Sequence, residues 1–337
     1  MNAEEFGIIG CRHAHIGIFI EEMLKLGYRC AGLYDPEGGV LAETMAAKYG
    51  IKRVQEQDAV LHDRVKVIGC AAINAEKIDI VELCESLGKP VMLDKPAVVS
   101  REGQERLKRV AERGRIQLGM LLTERFQPAI WTLKRLLEQG ELGELVSLGT
   151  RKPHRLDAES RPDWFFDEKQ SGGILIDLLI HDFDLLRWLT GREPAAVHSW
   201  MSKTALPERP SFYNAVQAQA VLEGGVLAQL YADWQVPTGC PSWGDGRIFV
   251  AGTKGMAELR LHGDPPAGEG EPRVLLASAG GSGVWQEIET VQPPCGISED
   301  FMRRLAGSAS VVSQHDILRA SELAVESAAS AVRLRST

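Results

Sequence analysis

Short apolar runs alternate with helical periodicity over the first 122 residues of the chain. Strands are predicted at residues 6–9, 28–34, 65–70, 91–93 and 116–119, and helices at residues 15–26, 40–49, 75–87 and 102–113. Glycines at positions 27, 50 and 88 follow three of these helices and predict their ends. Strands that alternate with helices of this length predict an α/β fold with a doubly wound parallel sheet, as in nucleotide-binding domains.

The pattern changes after residue 122. Two helices (126–138 and 173–189) and one strand (145–153) precede a region of strands without intervening helices. Apolar and polar residues alternate at 216–222 and 226–234 around a turn at 223–225, which predicts an antiparallel hairpin with one buried face. Further predictions are a hairpin turn at 253–255, a loop at 263–272, and helices at 298–305 and 316–332. We therefore predict two domains, 1–122 and 123–337, the second being an α+β domain with a large, open, mostly antiparallel sheet.

Composition excludes several classes of function. The 337 residues carry a formal net charge of -8 and no basic cluster, which argues against a nucleic-acid partner. No apolar run is long enough to span a bilayer, and the acidic amino terminus is unlike a secretory signal. The six cysteines include no Cys-x-x-Cys pair, so we expect reduced thiols in a cytoplasmic protein and no cysteine zinc site.

A glycine-poor turn follows the first strand at residues 7–15. A dinucleotide-binding fingerprint would place glycines at positions 10, 12 and 15, so that the backbone can approach a pyrophosphate. Only Gly10 is present, and Arg12 and His15 replace the other two. Arg12 could itself neutralise a phosphate, and His13 lies in the same turn. An ordinary tight turn is the alternative interpretation.

Polar residues stand at the carboxyl ends of the next strands. Asp35 ends the second strand, where a carboxylate binds ribose hydroxyls and repels a 2′-phosphate, which favours NAD over NADP. Alternatively, Asp35-Pro36 merely begins a turn. Asn74 follows the third strand and Lys95 the fourth. Because ligands bind outside the carboxyl ends of such strands, these residues and Gly10 predict a single crevice.

The apolar helix at 174–189 carries an unusual polar stripe. Asp177, His181 and Asp184 share one face, and buried polar groups need partners. Three interpretations remain open: a satisfied structural network, a metal site, or a general base, His181, that Asp177 orients. Weaker candidates for the pocket wall are Arg125, His154, Trp164 and Trp234.

Several motifs together resemble the Gfo/Idh/MocA family of oxidoreductases. Residues 94–96, Asp-Lys-Pro, are similar to the family's Glu-Lys-Pro signature, and residues 172–184 are similar to its Gly-Gly…Asp-x-x-x-His-x-x-Asp helix. The segments 124–128 and 252–255 also resemble family motifs, so the resemblance covers nearly the whole chain. The altered glycine turn is the clear departure.

The resemblance implies an amino-terminal Rossmann domain and an NAD-dependent dehydrogenase acting on a sugar, polyol or cyclic alcohol. It implies that Lys95, Asp177 and His181 line the substrate pocket and that the Lys95–Pro96 bond is cis. Separately, we expect no metal ion in this site. His181 would take the hydroxyl proton while Lys95 holds the reacting oxygen. The open sheet would form a homodimer or homotetramer. An NAD-retaining lyase or glycosidase and a non-catalytic NAD-binding regulator remain the alternatives.

Overall fold

The computed structural model describes residues 4–263, 270–281 and 283–335. Residues 264–269 of the predicted loop at 263–272 lie outside the described residues. The chain divides into two compact units, the first drawing on Met1–Leu122, Lys169–Gly172 and Cys295–Val325. The second draws on Thr123–Glu168, Gly173–Pro294 and Glu326–Thr337. Two contiguous domains, 1–122 and 123–337, stay a prediction.

The first unit contains a six-stranded, wholly parallel sheet in the order β3-β2-β1-β4-β5-β6 among the described residues, which confirms the predicted α/β class. Its strands are β1 (Glu5–Cys11), β2 (Arg29–Tyr34), β3 (Arg53–Val54), β4 (Val65–Ala71), β5 (Val91–Leu93) and β6 (Leu118–Met120). Its helices here are α1 (Ile16–Lys25), α2 (Val40–Tyr49), α3 (Lys77–Ser86) and α4 (Arg101–Arg113).

Strand β1 forms the centre of this sheet because every one of its residues is buried. Helix α1 packs a buried apolar stripe in the same core, where the ring of Phe19 meets the ring of Phe6 edge-on at 5.6 Å. Strand β1 pairs with β2 on one side and with β4 on the other, so the strand order reverses here. In α/β sheets, this reversal opens a crevice at the carboxyl end of the strand.

The second unit is built around a nine-stranded mixed sheet, again counting the described residues alone, in the order β14-β13-β12-β11-β7-β10-β9-β8-β15. Seven elements come first: α5 (Pro128–Glu138), β7 (Leu145–Arg155), α6 (Asp163–Phe166), α7 (Glu168–Ser171), α8 (Gly173–Thr190), β8 (Pro194–Lys203) and β9 (Ala215–Leu222). Then follow β10 (Leu227–Val236), β11 (Arg247–Gly252), β12 (Gly255–Arg260), β13 (Arg273–Ser278), β14 (Gln286–Ile288), α9 (Ile297–Leu305), α10 (Gln314–Ser330) and β15 (Val332–Arg335). Of these, α9 and most of α7 and α10 belong to the first unit.

Period-two alternation is realised in the predicted hairpin. Val216, Ala218 and Ala220 of β9 are buried, whereas the intervening glutamines are exposed. Strands β9 and β10 pair antiparallel, as do β11 and β12 across the turn predicted at 253–255. Two pairings in this sheet are parallel, β7 with β10 and β8 with β15. The local pattern gave no sign of these two pairings.

No helix within the described ranges combines the length and the apolar content needed to cross a bilayer.

Two glycines have similar backbone angles but different surroundings, so substituting each by alanine distinguishes the cost of backbone strain from the cost of a steric clash. Gly10 has φ +76°, and an added Cβ would lie 2.6 Å from the backbone N and Cα of Ala72. Gly27 has φ +87°, with nothing within 4 Å of an added Cβ. We expect Gly27→Ala to lower the free energy of unfolding by about 1 kcal/mol, and Gly10→Ala by roughly 2 kcal/mol more, because the backbone of Ala72 must move. Urea unfolding measures both. Equal losses would contradict this account of Gly10.

Candidate active site

A cleft of about 380 Å³ lies in the first unit at the strand reversal, where β1 and β2 end. Asp35 stands at its edge with 7% of its surface exposed, and its Oδ2 accepts a hydrogen bond from the backbone N–H of Cys11 at 3.1 Å. This bond fixes the carboxylate at the end of β2. The residues that line the cleft are Ile9, Gly10, Arg12, Tyr34, Asp35, Pro36, Glu37, Gln57, Ala72, Glu76, Asp79 and Ile80.

Arg12 is held by the loop that follows β2. Its Nη1 donates to the carbonyl oxygen of Gly38 at 2.8 Å, and its guanidinium pairs with Glu37 and lies 3.9 Å from Asp35. The positive charge is therefore partly neutralised by protein carboxylates. Contact between Arg12 and a phosphate stays a prediction.

The two histidines of the altered turn meet a buried carboxylate. Nδ1 of His13 lies 3.3 Å from Oδ2 of Asp94, and Nδ1 of His15 lies 3.2 Å from Oδ1. Burial opposes ionisation of Asp94, but the charges of His13 and Lys77 and the hydrogen bond from His15 hold the pKa of this carboxyl well below its usual value. The ligand atoms of His13, His15 and Asp94 lie within 4.8 Å of one another, a spacing that also suits a metal ion. Independence of metal stays a prediction.

Lys77, which sequence reasoning missed, holds the turn that carries Lys95. Its side chain is fully buried at the start of α3, and Nζ donates to the carbonyl oxygens of Asp94 at 2.8 Å, Lys95 at 3.3 Å and Pro96 at 3.2 Å. Nζ also lies 3.6 Å from Oδ2 of Asp94. One ammonium therefore fixes three consecutive residues. The peptide bond between Lys95 and Pro96 is cis, as the resemblance implied.

Asn74 belongs to the same network. Its Oδ1 accepts a hydrogen bond from Lys77 at 2.8 Å, and its Nδ2 donates to the carbonyl oxygen of Ser171 at 2.8 Å. Asn74 and Lys95 are both about 5% exposed. The structure thus brings Asn74, Lys95 and the Asp94 cluster together through Lys77, and brings Gly10, Arg12 and Asp35 together at the cleft.

In the second unit, the polar stripe of α8 has two distinct environments. Asp184 is buried and forms a bidentate ion pair with Arg125, whose Nε and Nη2 donate at 2.8 and 2.6 Å. Arg125 is 1% exposed, so this pair is part of the unit's interior. Asp177 and His181 lie earlier on the helix, one turn apart. A substrate contact by Arg125 stays a prediction.

A buried lysine, Lys152, bridges two carboxylates beside His181. Its Nζ pairs with Glu124 and lies 3.0 Å from Oδ1 of Asp182. Burial raises the pKa of Glu124, but the charges of Lys152 and His181 outweigh burial and leave this pKa below its usual value. Burial also raises the pKa of Asp182; Lys152 opposes this rise and Glu124 adds to it, and the pKa remains above its usual value. His181 therefore stands beside a compact, mutually compensated group of charges.

His154 and the tryptophans lie on the aromatic side of this unit. Nδ1 of His154 lies 2.8 Å from the carbonyl oxygen of Lys152. Because a carbonyl only accepts, Nδ1 carries a hydrogen, and Nε2 of the neutral ring is an acceptor. The ring meets Trp234 edge-on at 5.6 Å. Trp164 packs on Phe165 with ring centroids 6.3 Å apart, and its role in binding stays a prediction.

Comparison with known proteins agrees with this arrangement. The family described as GFO/IDH/MocA C-terminal domain matches residues 130–258. The chain is similar to a solved structure from Erwinia carotovora atroseptica that is provisionally described as an oxidoreductase. The two superpose with a TM-score of 0.89 at 26% identity, over 98% of this chain and 99% of that chain. The chain therefore carries a GFO/IDH/MocA C-terminal domain at residues 130–258.

Two curated relatives carry names that state a function. The rhizopine catabolism protein MocA of Rhizobium meliloti is 31% identical over 57% of this chain and 58% of its own length. The scyllo-inositol 2-dehydrogenase (NAD(+)) of Bacillus subtilis is 30% identical over 67% of this chain and 64% of its own length. The chain thus matches less than two thirds of these relatives' lengths.

Two buried lysines of the site, Lys77 and Lys152, escaped the sequence reasoning. Most lysines are exposed, and nothing in the sequence marks these two as buried.

The ionised state of Asp94 can be tested through pH. We expect Asp94→Asn to lower the free energy of unfolding by about 3 kcal/mol at pH 7, because it leaves the Lys77 ammonium buried without its counterion. Since the folded-state pKa is depressed, this contribution is fully present above the unfolded pKa of about 3.9 and is lost as pH falls through the folded value. Denaturant unfolding of both proteins from pH 7 to pH 3 measures the difference. A deficit that disappears by pH 5 would contradict the depressed pKa.

Proposed function

We propose that the protein is an NAD-dependent dehydrogenase that oxidises a CH–OH group of a sugar, polyol or cyclic alcohol. The observation that carries this proposal is that Lys95, Asp177 and His181 are all present on regular elements or tightly held turns of a chain with a GFO/IDH/MocA C-terminal domain. The relatives named as inositol dehydrogenases support the reaction class. They favour a dehydrogenase over the NAD-retaining lyase and over the regulator.

The first unit fits the adenosine half of a dinucleotide. The cleft lies at the strand reversal, and the carboxylate of Asp35 ends β2, where ribose hydroxyls are bound in such sheets. Four carboxylates, Asp35, Glu37, Glu76 and Asp79, line the cleft with one arginine. The net negative charge of these side chains disfavours a 2′-phosphate, which supports binding of NAD in preference to NADP. His13 and His15 would face the pyrophosphate at the start of α1.

The proposed mechanism gives each side chain one role. A bound NAD would supply the hydride acceptor. His181 takes the proton of the substrate hydroxyl at its imidazole, which suits a base near neutral pH. Asp177, one helical turn earlier, orients the ring and stabilises the imidazolium. Lys95 donates a hydrogen bond to the reacting oxygen, and Lys77 keeps the backbone of Lys95 in place.

The remaining properties are proposed on narrower grounds. Val221, Leu227 and Phe249 are 41%, 56% and 46% exposed on the nine-stranded sheet, which supports a homodimer or homotetramer through this surface. The six cysteines are free thiols, and burial raises the pKa of Cys11 to about 12. Reduced thiols are typical of cytoplasmic proteins. We therefore propose that the protein is located in the cytoplasm.

Replacing the proposed catalytic groups should separate chemistry from cofactor binding. We expect Lys95→Met and His181→Gln each to lower kcat by at least about 100-fold, because each removes a group that acts on the reacting oxygen or its proton. The affinity for NAD should change less than about threefold. NADH formation at 340 nm and calorimetric titration with NAD measure the two quantities. The exposed Lys25→Met is the matched control and should leave both unchanged. Full turnover by either catalytic variant would refute its assigned role.

Cofactor preference depends on Asp35 in this proposal. We expect the wild-type protein to bind NAD at least about tenfold more tightly than NADP, because the carboxylate repels a 2′-phosphate. Asp35→Ser should narrow that ratio by weakening NAD binding and improving NADP binding. Calorimetric titration with both cofactors measures the ratio. An unchanged ratio in the variant, or a wild-type preference for NADP, would overturn the assignment.

A further inference from the structure

A guanidinium in the second unit lies among aromatic rings near Asp177. The Cζ atom of Arg161 lies 4.5 Å from the ring centroid of Phe165 and 5.5 Å from that of Trp234. Burial lowers the pKa of Arg161, while the charges of Asp177 and Asp157 act in the opposite direction. Arginine nevertheless stays charged in proteins. A largely buried positive charge is thus within electrostatic range of the residue proposed to orient the base.

Arg161 differs from three other arginines of this unit that cover aromatic rings, and from Arg155, which covers Trp243 and donates to two carbonyl oxygens. Arg125, Arg209 and Arg333 each form an ion pair, at 2.6, 2.8 and 2.6 Å. Arg161 makes one side-chain hydrogen bond, from Nε to the carbonyl oxygen of Leu156 at 3.1 Å. No carboxylate oxygen of the described residues lies within 4.0 Å of its nitrogens. A buried cation of this kind favours an anionic ligand as its counterion.

The neighbouring Trp234 provides a second, independent observation. Its side chain is 6% exposed, and its indole Nε1–H is buried without a hydrogen-bond acceptor among the residues that the structure describes. Buried donors are nearly always paired in native proteins. Because the guanidinium of Arg161 lies 5.5 Å from the centre of this ring, one ligand group with two acceptor oxygens would serve both donors. A carboxylate is such a group.

We propose that Arg161 and Trp234 bind a carboxylate of the substrate, so that the protein acts on a sugar acid, such as an aldonate or uronate, in preference to an uncharged polyol. This inference rests on the dehydrogenase function proposed above. The charged group is recognised at Arg161, while the hydroxyl to be oxidised is presented to His181. Asp177 lies within electrostatic range of both Arg161 and the base, so the charged end of the substrate is placed close to the reaction.

The test compares acids with their uncharged counterparts. The wild-type protein, saturated with NAD, is titrated calorimetrically with D-gluconate, D-glucuronate and D-galactonate, and with D-glucitol, D-glucose and D-galactitol. We expect at least one acid to bind roughly 10- to 100-fold more tightly than its counterpart, because a charge-assisted hydrogen bond is gained. Arg161→Gln should abolish this preference and leave the affinity for the uncharged compound within about twofold. Trp234→Phe keeps the ring, removes the N–H, and should weaken acid binding by about 3- to 10-fold.

Arg209→Gln is the matched control. Arg209 covers Phe166 at 4.6 Å, much as Arg161 covers Phe165, but it is already paired with Asp163. This variant should retain the full preference for the acid. A wild-type protein that prefers no acid, or an Arg161→Gln variant that keeps the preference, would overturn the proposal. Where Arg161→Gln fails to fold, Trp234→Phe decides, since unaltered acid binding in that variant also overturns it.

The outcomes separate this inference from the function on which it rests. If acid binding depends on Arg161 but no compound of the panel yields NADH, the proposed dehydrogenase activity is refuted and the proposed carboxylate site is supported. If an uncharged polyol yields NADH and no acid is preferred, the proposed dehydrogenase activity is supported and the proposed carboxylate site is refuted.

Discussion

A buried ammonium organises the first unit. Lys77 gathers the carbonyl oxygens of Asp94, Lys95 and Pro96 and compensates the charge of Asp94, which in turn engages His13 and His15. Desolvating a lysine is costly, and the five oxygens around Nζ, which include Oδ1 of Asn74, offset that cost only in this backbone arrangement. The direction of the chain at Lys95 is therefore set by charge compensation in the core. The altered glycine turn and the turn that carries Lys95 belong to the same network.

The second unit repeats this principle with a different set of residues. Lys152 compensates Glu124 and Asp182 in the interior, and Arg125 compensates Asp184. Buried ion pairs of this kind contribute little to net stability, but they hold charged side chains in one arrangement. His181 thus stands on a helix whose polar residues have fixed partners on either side. Arg161, outside this helix, has no carboxylate partner within 4.0 Å among the described residues, and we place a ligand there.

The sequence predicted what depends on local periodicity and failed where distant partners decide. Strand ends at Gly10, Asp35 and Lys95 were predicted because buried strands and glycine-ended helices are visible in the pattern. The burial of Lys77 and Lys152 was not predicted, because a lysine in the sequence gives no indication of the oxygen atoms that surround it in the fold. The parallel pairing of β7 with β10 was likewise hidden, since alternation specifies a face and leaves the partner strand undetermined.

The position of β7 has a consequence for biosynthesis. Its two sheet neighbours are β10 and β11, which begin at Leu227 and Arg247, so both of its edges stay unpaired while some seventy residues leave the ribosome. Closure of such non-local pairs raises the contact order and slows folding. The sheet of the second unit therefore forms late, and its nascent chain presents open strand edges until β10 and β11 have been synthesised.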